Sequence, residues 1–342
     1  MAKKKIKVAL IFGGTSQERE VSLRSGMTIA KYLDTKKFEV VPIELAKNGK
    51  LLISSPTINN IASQITAKRA KSTRELVPVA KADKAGIDVA FLALHGPGGE
   101  DGTIQGMLDL MKIPYTCSGV LASSLAMDKA RTKRLLTSAN ILVLPDFVIT
   151  KDDYKKNKYK ILKKIRGRVV VKPNRIGSSL GVTIASGRNN ISKAITTALI
   201  HDDEILVEPF LSGREITVPV LGNHFAEALP TIEIIPWKKS TFYDYAAKYE
   251  QGGSKHVIPA QLTKLQEQGV QLLALKAHRE LGCRGVTRSD FILAKNGKFY
   301  FLEINTIPGM TPTSLAPQSA QAAGIDFPEL LERLIKLALE KN

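Results

Sequence analysis

Cysteine is nearly absent from this chain. Cys117 and Cys283 stand far apart with no C-x-x-C pair, which excludes a disulfide framework and fits a reducing compartment. They read most simply as small buried residues. The five histidines show no metal-ligand spacing, so a histidine-rich metal centre is excluded too. No apolar run approaches the roughly 20 residues that a membrane-spanning helix needs. The opening MAKKKIKVALIFGG has the basic head and apolar run of a secretory signal. That run is short, no small-residue cleavage site follows, and charge resumes at Glu18. A cytoplasmic protein with no membrane partner is therefore expected. Two nucleotide signatures are missing as well. GGTSQE at 13–18 is not the dinucleotide pattern G-x-G-x-x-G, and KPNRIGSSLGV at 172–182 puts its lysine ahead of its glycines, the reverse of a P-loop. No internal repeat is visible.

What is present is ordinary for a globular protein, except for the sign of its charge. At 342 residues the chain exceeds one ordinary core and implies two or three domains. Hydrophobic residues make up 44% and charged residues 24%, which is typical of globular chains rather than disordered ones. The 50 Lys+Arg against 32 Asp+Glu give +18, an excess that attracts polyanions, nucleotide phosphates included. Much of it lies in residues 67–74 and 151–168. The second run has helical potential, few aromatics and no accompanying nucleic-acid-binding signature. A solvated basic face is expected there, and no nucleic-acid partner.

Residues 6–12 read as a buried strand, turned by Gly13-Gly14-Thr15-Ser16 into a helix with Leu23, Met27, Ala30 and Leu33 on one stripe. Further strands over 38–43 and 87–94, the latter ending in glycine-rich HGPGGEDGT, continue the alternation. Strand, turn and helix in this order argue for an open α/β sheet with working loops at the strand ends. Ser123-Ser124 are placed to cap a helix running through Met127, Lys129 and Leu135. Strands are expected over 169–172, 204–208 and 216–221, a helix over 262–281, a hairpin over 288–305 and a closing helix over 327–339. Residues 237–259 are polar and aromatic with little periodicity, a length that marks a functional lid or disorder.

Asn296-Gly297 is a strong hairpin signal. With these two residues as the loop, Lys295 faces Lys298, Asp290 lies opposite Glu303 and Arg288 opposite Asn305. All four of the latter then project from one face, a register that a bulge would shift. Directly opposed carboxylates have Cβ atoms about 5 Å apart. They repel by about 3 kcal/mol at an effective dielectric of about 20. Phe291, Phe301, Leu302 and Ile304 beside them are apolar, so the pair reads as buried and needs a proton, a cation or a metal. Asp, Glu and Asn oxygens suit Mg²⁺, which takes its remaining ligands from phosphates. Neutralisation by Arg288 alone is the alternative, and the residues leave both open.

The order KP-x3-GSS-x-G, EP-x-L-x-G-x-E, R-x-D and E-x-N-x-x-PGMT resembles that of the ATP-grasp ligases. Within them FGGTSQEREVSLRSG, ALHGPGGEDGTIQGMLDLMKIPYT, MDKARTK, TFYDYAAKY and EINTIPGMTPTS resemble the D-alanine–D-alanine ligases, in the family's order from Phe12 to Ser314. The resemblance implies a three-domain ATP-grasp α/β fold with an N-terminal open α/β substrate domain over 1–117. A central lid domain over 118–208 and a C-terminal domain over 209–342 would complete it. It implies ATP and two Mg²⁺ ions, with Mn²⁺ as a possible substitute, D-alanine as substrate and a homodimer.

The resemblance also implies roles. Lys129 and Lys172 contact nucleotide phosphates, Glu208 and Leu211 hold adenine, Glu215 binds ribose, and Lys248 reaches the phosphate when a lid closes. Asp290, Glu303 and Asn305 hold metal. Arg288 and the Gly309 N–H bind the reacting carboxylate. Glu18 receives the ammonium of the first D-alanine in a hydrogen-bonded set with Ser178 and Tyr249. His95 lies near the substrates, and Ser314 and Leu315 form the pocket for the second carboxylate. Loop closure by residues around Ser178 and Tyr249 would exclude water from an acyl phosphate. Two positions depart from the family pattern: Ile176 in place of an acidic or small polar residue, and Pro209 in place of a common lysine. A ligase using D-lactate as second substrate is the near alternative, and the YDYAAKY stretch argues against it; an ATP-grasp ligase for another carboxylate and amine is a second, which the Glu18, Ser178 and Tyr249 combination disfavours.

Overall fold

Strand β1 (Ile6–Gly13) is apolar at most positions, as a strand covered on both faces must be. Its residues alternate between two clusters. Val8, Leu10 and Phe12 join one hydrophobic core, while Ala9 and Ile11 join another on the opposite face. The computed structural model describes residues 4–49, 51–53, 75–76, 86–236 and 254–340. In it β1 is followed by helix α1 (Arg19–Tyr32), β2 (Phe38–Leu45), β3 (Leu51–Ile53), β4 (Glu75–Leu76) and β5 (Val89–Leu92). The first sheet has the order β4-β3-β2-β1-β5, with β1 parallel to β2 and β5. Helix α1 approaches β1 closely because Gly26 has no side chain: a Cβ there would lie 2.7 Å from Phe12 Cβ.

Helices α2 (Thr103–Leu110), α3 (Val120–Met127) and α4 (Lys129–Ser138) come next. The single helix expected to run through Met127, Lys129 and Leu135 is two. The chain breaks at Asp128, whose extended backbone and side chain cap α4 by accepting from Arg131 N at 3.0 Å. Ser123 and Ser124 are not caps. They lie inside α3 and donate to the carbonyls of Ser118 and Asp101.

The second sheet holds β6 (Phe147–Thr150), β7 (Arg168–Pro173), β8 (Thr183–Ser186) and β9 (Glu204–Pro209) in the order β6-β9-β7-β8, all pairs antiparallel. It is covered by α5 (Lys151–Lys164) and α6 (Arg188–His201). Helix α5 buries only Tyr154, Ile161 and Leu162 and turns its other lysine-rich faces to solvent.

The third sheet runs β13-β12-β10-β14-β15, with β11 paired to β10. Its strands are β10 (Gly213–Leu221), β11 (Glu227–Ala228), β12 (Ile232–Pro236), β13 (Ser254–Val257), β14 (Val286–Ala294) and β15 (Phe299–Asn305). Strand β13 lies in a stretch expected to lack regular structure. Helix α7 (Lys264–Glu280) starts at a capping box formed by Thr263 and Gln266, and α8 (Leu315–Ala322) and α9 (Phe327–Leu339) end the fold. Cores cross chain order. Ala122, Ala126 and Leu136 pack with Ile216, Val218 and Phe291, while Leu331 and Ile335 pack with Val8 and Leu10. Cys117 and Cys283 are buried free thiols, and burial pushes both up to about 12, so they act as packing residues.

Asn296 and Gly297 do not form a two-residue hairpin loop. Ala294 N bonds to Lys298 O at 3.0 Å and Gly297 sits at φ 76°, which makes a three-residue loop closed by a glycine bulge. This slips the register by one, so Leu293 faces Phe299 and Phe291 faces Phe301. A second irregularity between Asp290 and Phe291, where Leu302 is the extra residue, slips it back. Asp290 therefore does face Glu303, and Arg288 does face Asn305. The expected pairing survives because two bulges cancel.

Candidate active site

Two clefts meet where this hairpin approaches α4. One, of about 450 Å³, opens between the first and third sheets. It is lined by Glu18, His95, Ser178, Arg288, Asn305, Gly309, Ser314 and Leu315 among others. The other, of about 470 Å³, opens between the second and third sheets and is lined by Lys172, Ile176, Glu208, Leu211, Glu215 and Asp290. Lys129 and Glu303 line both. The described candidates are thus gathered at one junction. Tyr249 and Lys248 lie outside the described residues.

In the first cleft the turn before α1 is tied to the loop after β5: Ser16 Oγ donates to His95 O at 2.6 Å and accepts from Glu18 N at 3.2 Å. Glu18 is fitted tightly among glycines. A Cβ on Gly96 would lie 2.7 Å from its Oε2, and one on Gly177 would lie 3.1 Å away. Ser178 Oγ donates to the Glu18 carboxylate, joining the 172–182 loop to the first sheet. Ser178 and Ser179 hold φ of 52° and 57°, a left-handed backbone that costs non-glycine residues roughly 1–2 kcal/mol each. His95 is buried with Nε2 3.4 Å from Ser25 Oγ, and burial holds its pKa below the usual value, so the ring is neutral.

Sequence reading missed Glu100 in this cleft. It is buried and accepts from Gly96 N at 2.6 Å, and burial, together with the Glu18 charge, pushes its carboxyl up to about 8. Its signal was its place in HGPGGEDG, where glycines let the chain double back and aim an N–H at a carboxylate. Arg288 grips Asp290 with two bonds, Nε to Oδ1 at 2.9 Å and Nη2 to Oδ2 at 2.8 Å. Gly309 leaves room for Ser314, whose Oγ would lie 3.0 Å from a Cβ at Gly309 and accepts from Thr311 N at 3.2 Å.

The second cleft is walled by a buried ion network. Lys172 Nζ lies 2.7 Å from Glu208 Oε2, and Lys133 Nζ pairs with Glu208 Oε1 and with Asp146 Oδ1, the latter at 2.9 Å. Burial pushes the Glu208 carboxyl up, but Lys172 and Lys133 overcome it and hold it below the usual range. Lys133 and Asp146 were also missed. Lys133 follows Lys129 by four residues, one helical turn, so both project from the same side of α4. Lys129 Nζ donates to Ile176 O at 2.9 Å and lies 3.6 Å from Glu303. Asn174 anchors the loop to α4, its Oδ1 accepting from Ala130 N at 2.9 Å. Ile176 thereby finds its place: it lines this cleft and its carbonyl holds Lys129.

Family models match both halves of the chain: the N-terminus of the D-ala D-ala ligases over residues 7–118 and their C-terminus over 135–336. The chain belongs to the D-alanine–D-alanine ligase family. A D-alanine–D-alanine ligase of Pelotomaculum thermopropionicum is 39% identical, covering 98% of this chain and 97% of the relative. One from Desulfotalea psychrophila is 42% identical, covering 99% and 96%. Among solved structures, the VanG D-Ala:D-Ser ligase of Enterococcus faecalis superposes with a TM-score of 0.86 at 32% identity, covering 98% of this chain and 100% of that one. The D-alanine–D-alanine ligase of Coxiella burnetii gives 0.80 at 27%, covering 98% and 94%. The fold is thus the ATP-grasp α/β fold of these ligases.

Metal ions in a ligase of this family would meet a small donor set. Among the described residues no group of three or more His, Cys, Asp or Glu gathers. The donors are two carboxylates, Asp290 and Glu303, and the amide oxygen of Asn305, which accepts from Ile307 N at 2.8 Å. Asp290 already accepts from Arg288 and Thr217, two bonds on Oδ1 and one on Oδ2, so Oδ2 keeps a lone pair to spare. Few protein oxygens, all hard, beside a cleft with room for further ligands are what Mg²⁺ takes. No helix of the described residues is long and apolar enough to cross a membrane.

Proposed function

We propose that the chain joins two D-alanines into D-alanyl-D-alanine through an acyl phosphate formed from ATP. The observation that carries this reading is the meeting of the two clefts at Lys129 and Glu303. A carboxylate in the first cleft and a terminal phosphate in the second converge there, and phosphoryl transfer needs such alignment and charge neutralisation above all. Glu208 and Leu211 border the adenine and Glu215 the ribose. Lys172, held by Glu208, presents a fixed charge to the phosphates, and Lys129 stands between donor and acceptor. In the first cleft Glu18 takes the ammonium of the first D-alanine, while Arg288 and the Gly309 N–H hold its carboxylate. The same two donors then stabilise the oxyanion when the second amine attacks. Ser314 and Leu315 receive the second carboxylate, and His95 shapes the floor between them. Asp290, Glu303 and Asn305 would hold Mg²⁺, which supplies positive charge to the phosphates when bound.

Phosphate release from MgATP is the test, with D-alanine, L-alanine, or D-alanine plus D-lactate or D-serine as acceptors. Release with D-alanine and dipeptide as product supports the reading; release with L-alanine only, or with none, overturns it. Asp290→Asn and Glu303→Gln should each abolish turnover with circular dichroism unchanged. The division into units 1–117, 118–208 and 209–342, and a cytoplasmic homodimer, belong to the same proposal. Sedimentation of the purified chain tests the dimer.

A further inference from the structure

Joining two amino acids poses a proton problem that the roles above leave open. The second substrate enters with an ammonium, and only the neutral amine has a lone pair to attack. Seven other charged or titratable side chains of the described residues line the first cleft: Arg24 on α1, Lys129 on α4, Arg288 on β14, Glu303 on β15, His256 on β13, and Glu18 and His95 in the turns. The arginines and Lys129 are cations and take no proton. His95 and His256 have pKa values lowered by burial and are weak bases, and His256 is bonded on both ring nitrogens to Ser254 and Gln318. Glu303 faces the phosphate cleft as well, and Glu18 accepts from Ser178 and is committed to the first ammonium.

Glu100 differs from all of these. It is buried, lines the cleft, and no described side chain donates to it; its bond is to the Gly96 N–H at 2.6 Å. That glycine is also the one packed against Glu18, so the two carboxylates face each other across it. We propose that Glu100 is the proton acceptor for the ammonium of the second D-alanine. The proposal rests on the ligase reading above. A proton passes from nitrogen to a Glu100 carboxylate oxygen, and the freed lone pair forms the N–C bond to the acyl carbon. The C–O bond to phosphate then breaks, and phosphate leaves with the bonding pair and the second N–H proton. Glu100 returns its proton to solvent as product departs. Burial and the Glu18 charge bring the carboxyl up to about 8, a better match to an ammonium than an ordinary glutamate offers.

Glu100→Gln keeps the shape and an acceptor for the Gly96 N–H but cannot take a proton. Two nucleophiles separate the steps: D-alanine, which enters protonated, and hydroxylamine, which is neutral at pH 7 and traps the acyl phosphate as D-alanine hydroxamate. The expected result is a loss of dipeptide formation of about 100-fold or more. Hydroxamate formation should stay at the parent level, which also reports an intact fold and first step. The dipeptide deficit should hold steady up to about pH 8, while Glu100 is itself still ionising, and narrow above it as the amine loses its proton unaided. Equal loss with both nucleophiles, or loss with neither, overturns the role of Glu100. A parent enzyme that makes no hydroxamate from D-alanine and MgATP overturns the ligase reading itself, and the proposal with it.

Discussion

The two clefts share a lysine and a glutamate but treat charge in opposite ways. The cleft between the second and third sheets is electrostatically closed: Glu208 is met by Lys172 and Lys133, and Lys133 also meets Asp146. The cleft on the first-sheet side sets two carboxylates close together: Gly96 packs against Glu18 and donates its N–H to Glu100, and Arg24, Lys129 and Arg288 also line the cleft. A closed network fixes side chains in place before any ligand arrives, whereas two neighbouring acids favour an arriving cation. The opposite pKa directions of Glu208 and Glu100 follow from the same burial, offset at Glu208 by Lys172 and Lys133 and reinforced at Glu100 by the Glu18 charge against a weaker pull from Arg288.

The contrast can be broken most severely on the closed side. Lys133→Met removes one partner of Glu208 and one of Asp146, and breaking a buried pair in this way costs about 3–5 kcal/mol. Urea unfolding should register that loss together with weakened nucleotide binding; unchanged stability would mean that the network is not buried as described. Arg288→Met acts at the junction. Turnover should fall about 10²- to 10³-fold, and the unfolding midpoint should fall as well, because Asp290 loses its buried bidentate partner. On the first-sheet side, Glu18→Gln should raise the KM for the first D-alanine about tenfold, an effect of about 1.4 kcal/mol.

The smallest effect is a pair of opposite pH slopes. The Glu208 pKa is depressed on folding, so its stabilisation is present above the ordinary value of 4.5 and is lost as pH falls below it. The Glu100 pKa is raised, so its contribution is complete below 4.5 and is lost as pH rises towards about 8. The melting temperature of Glu100→Gln should therefore gain on the parent between those two pH values, and Glu208→Gln should flatten the acid limb instead. A difference between Glu100→Gln and parent that is constant with pH would remove the like-charge pressure invoked for Glu100.

Legibility differed from residue to residue. Lys172, Glu208 and Asp290 were readable because each sits in a short ordered motif that survives without knowledge of its neighbours. Lys133, Asp146 and Glu100 were not, although Lys133 and Glu100 lie inside quoted motifs. Their roles depend on partners 75 residues away for Lys133 and 82 for Glu100 and Glu18. No local pattern reports which lysine among many meets a distant glutamate. The break at Asp128 was missed for another reason: periodicity carries on across one extended residue, and the cap is visible only in its φ and ψ.

Alternating burial, turn glycines and motif order were enough to determine an α/β chain, the strands that carry the site and the family's set of candidate residues. They succeed because period-two alternation and glycine conformations are local physics. The hairpin shows what they could not decide. Its Asp290–Glu303 pairing follows from a loop bulge and a strand bulge that offset each other, in a stretch where Phe291, Phe299 and Phe301 pack together in the third sheet. Which carboxylates stay paired, which stay exposed to a ligand and where the two clefts meet were decided by tertiary structure, because electrostatic energy depends on distance in space and not along the chain.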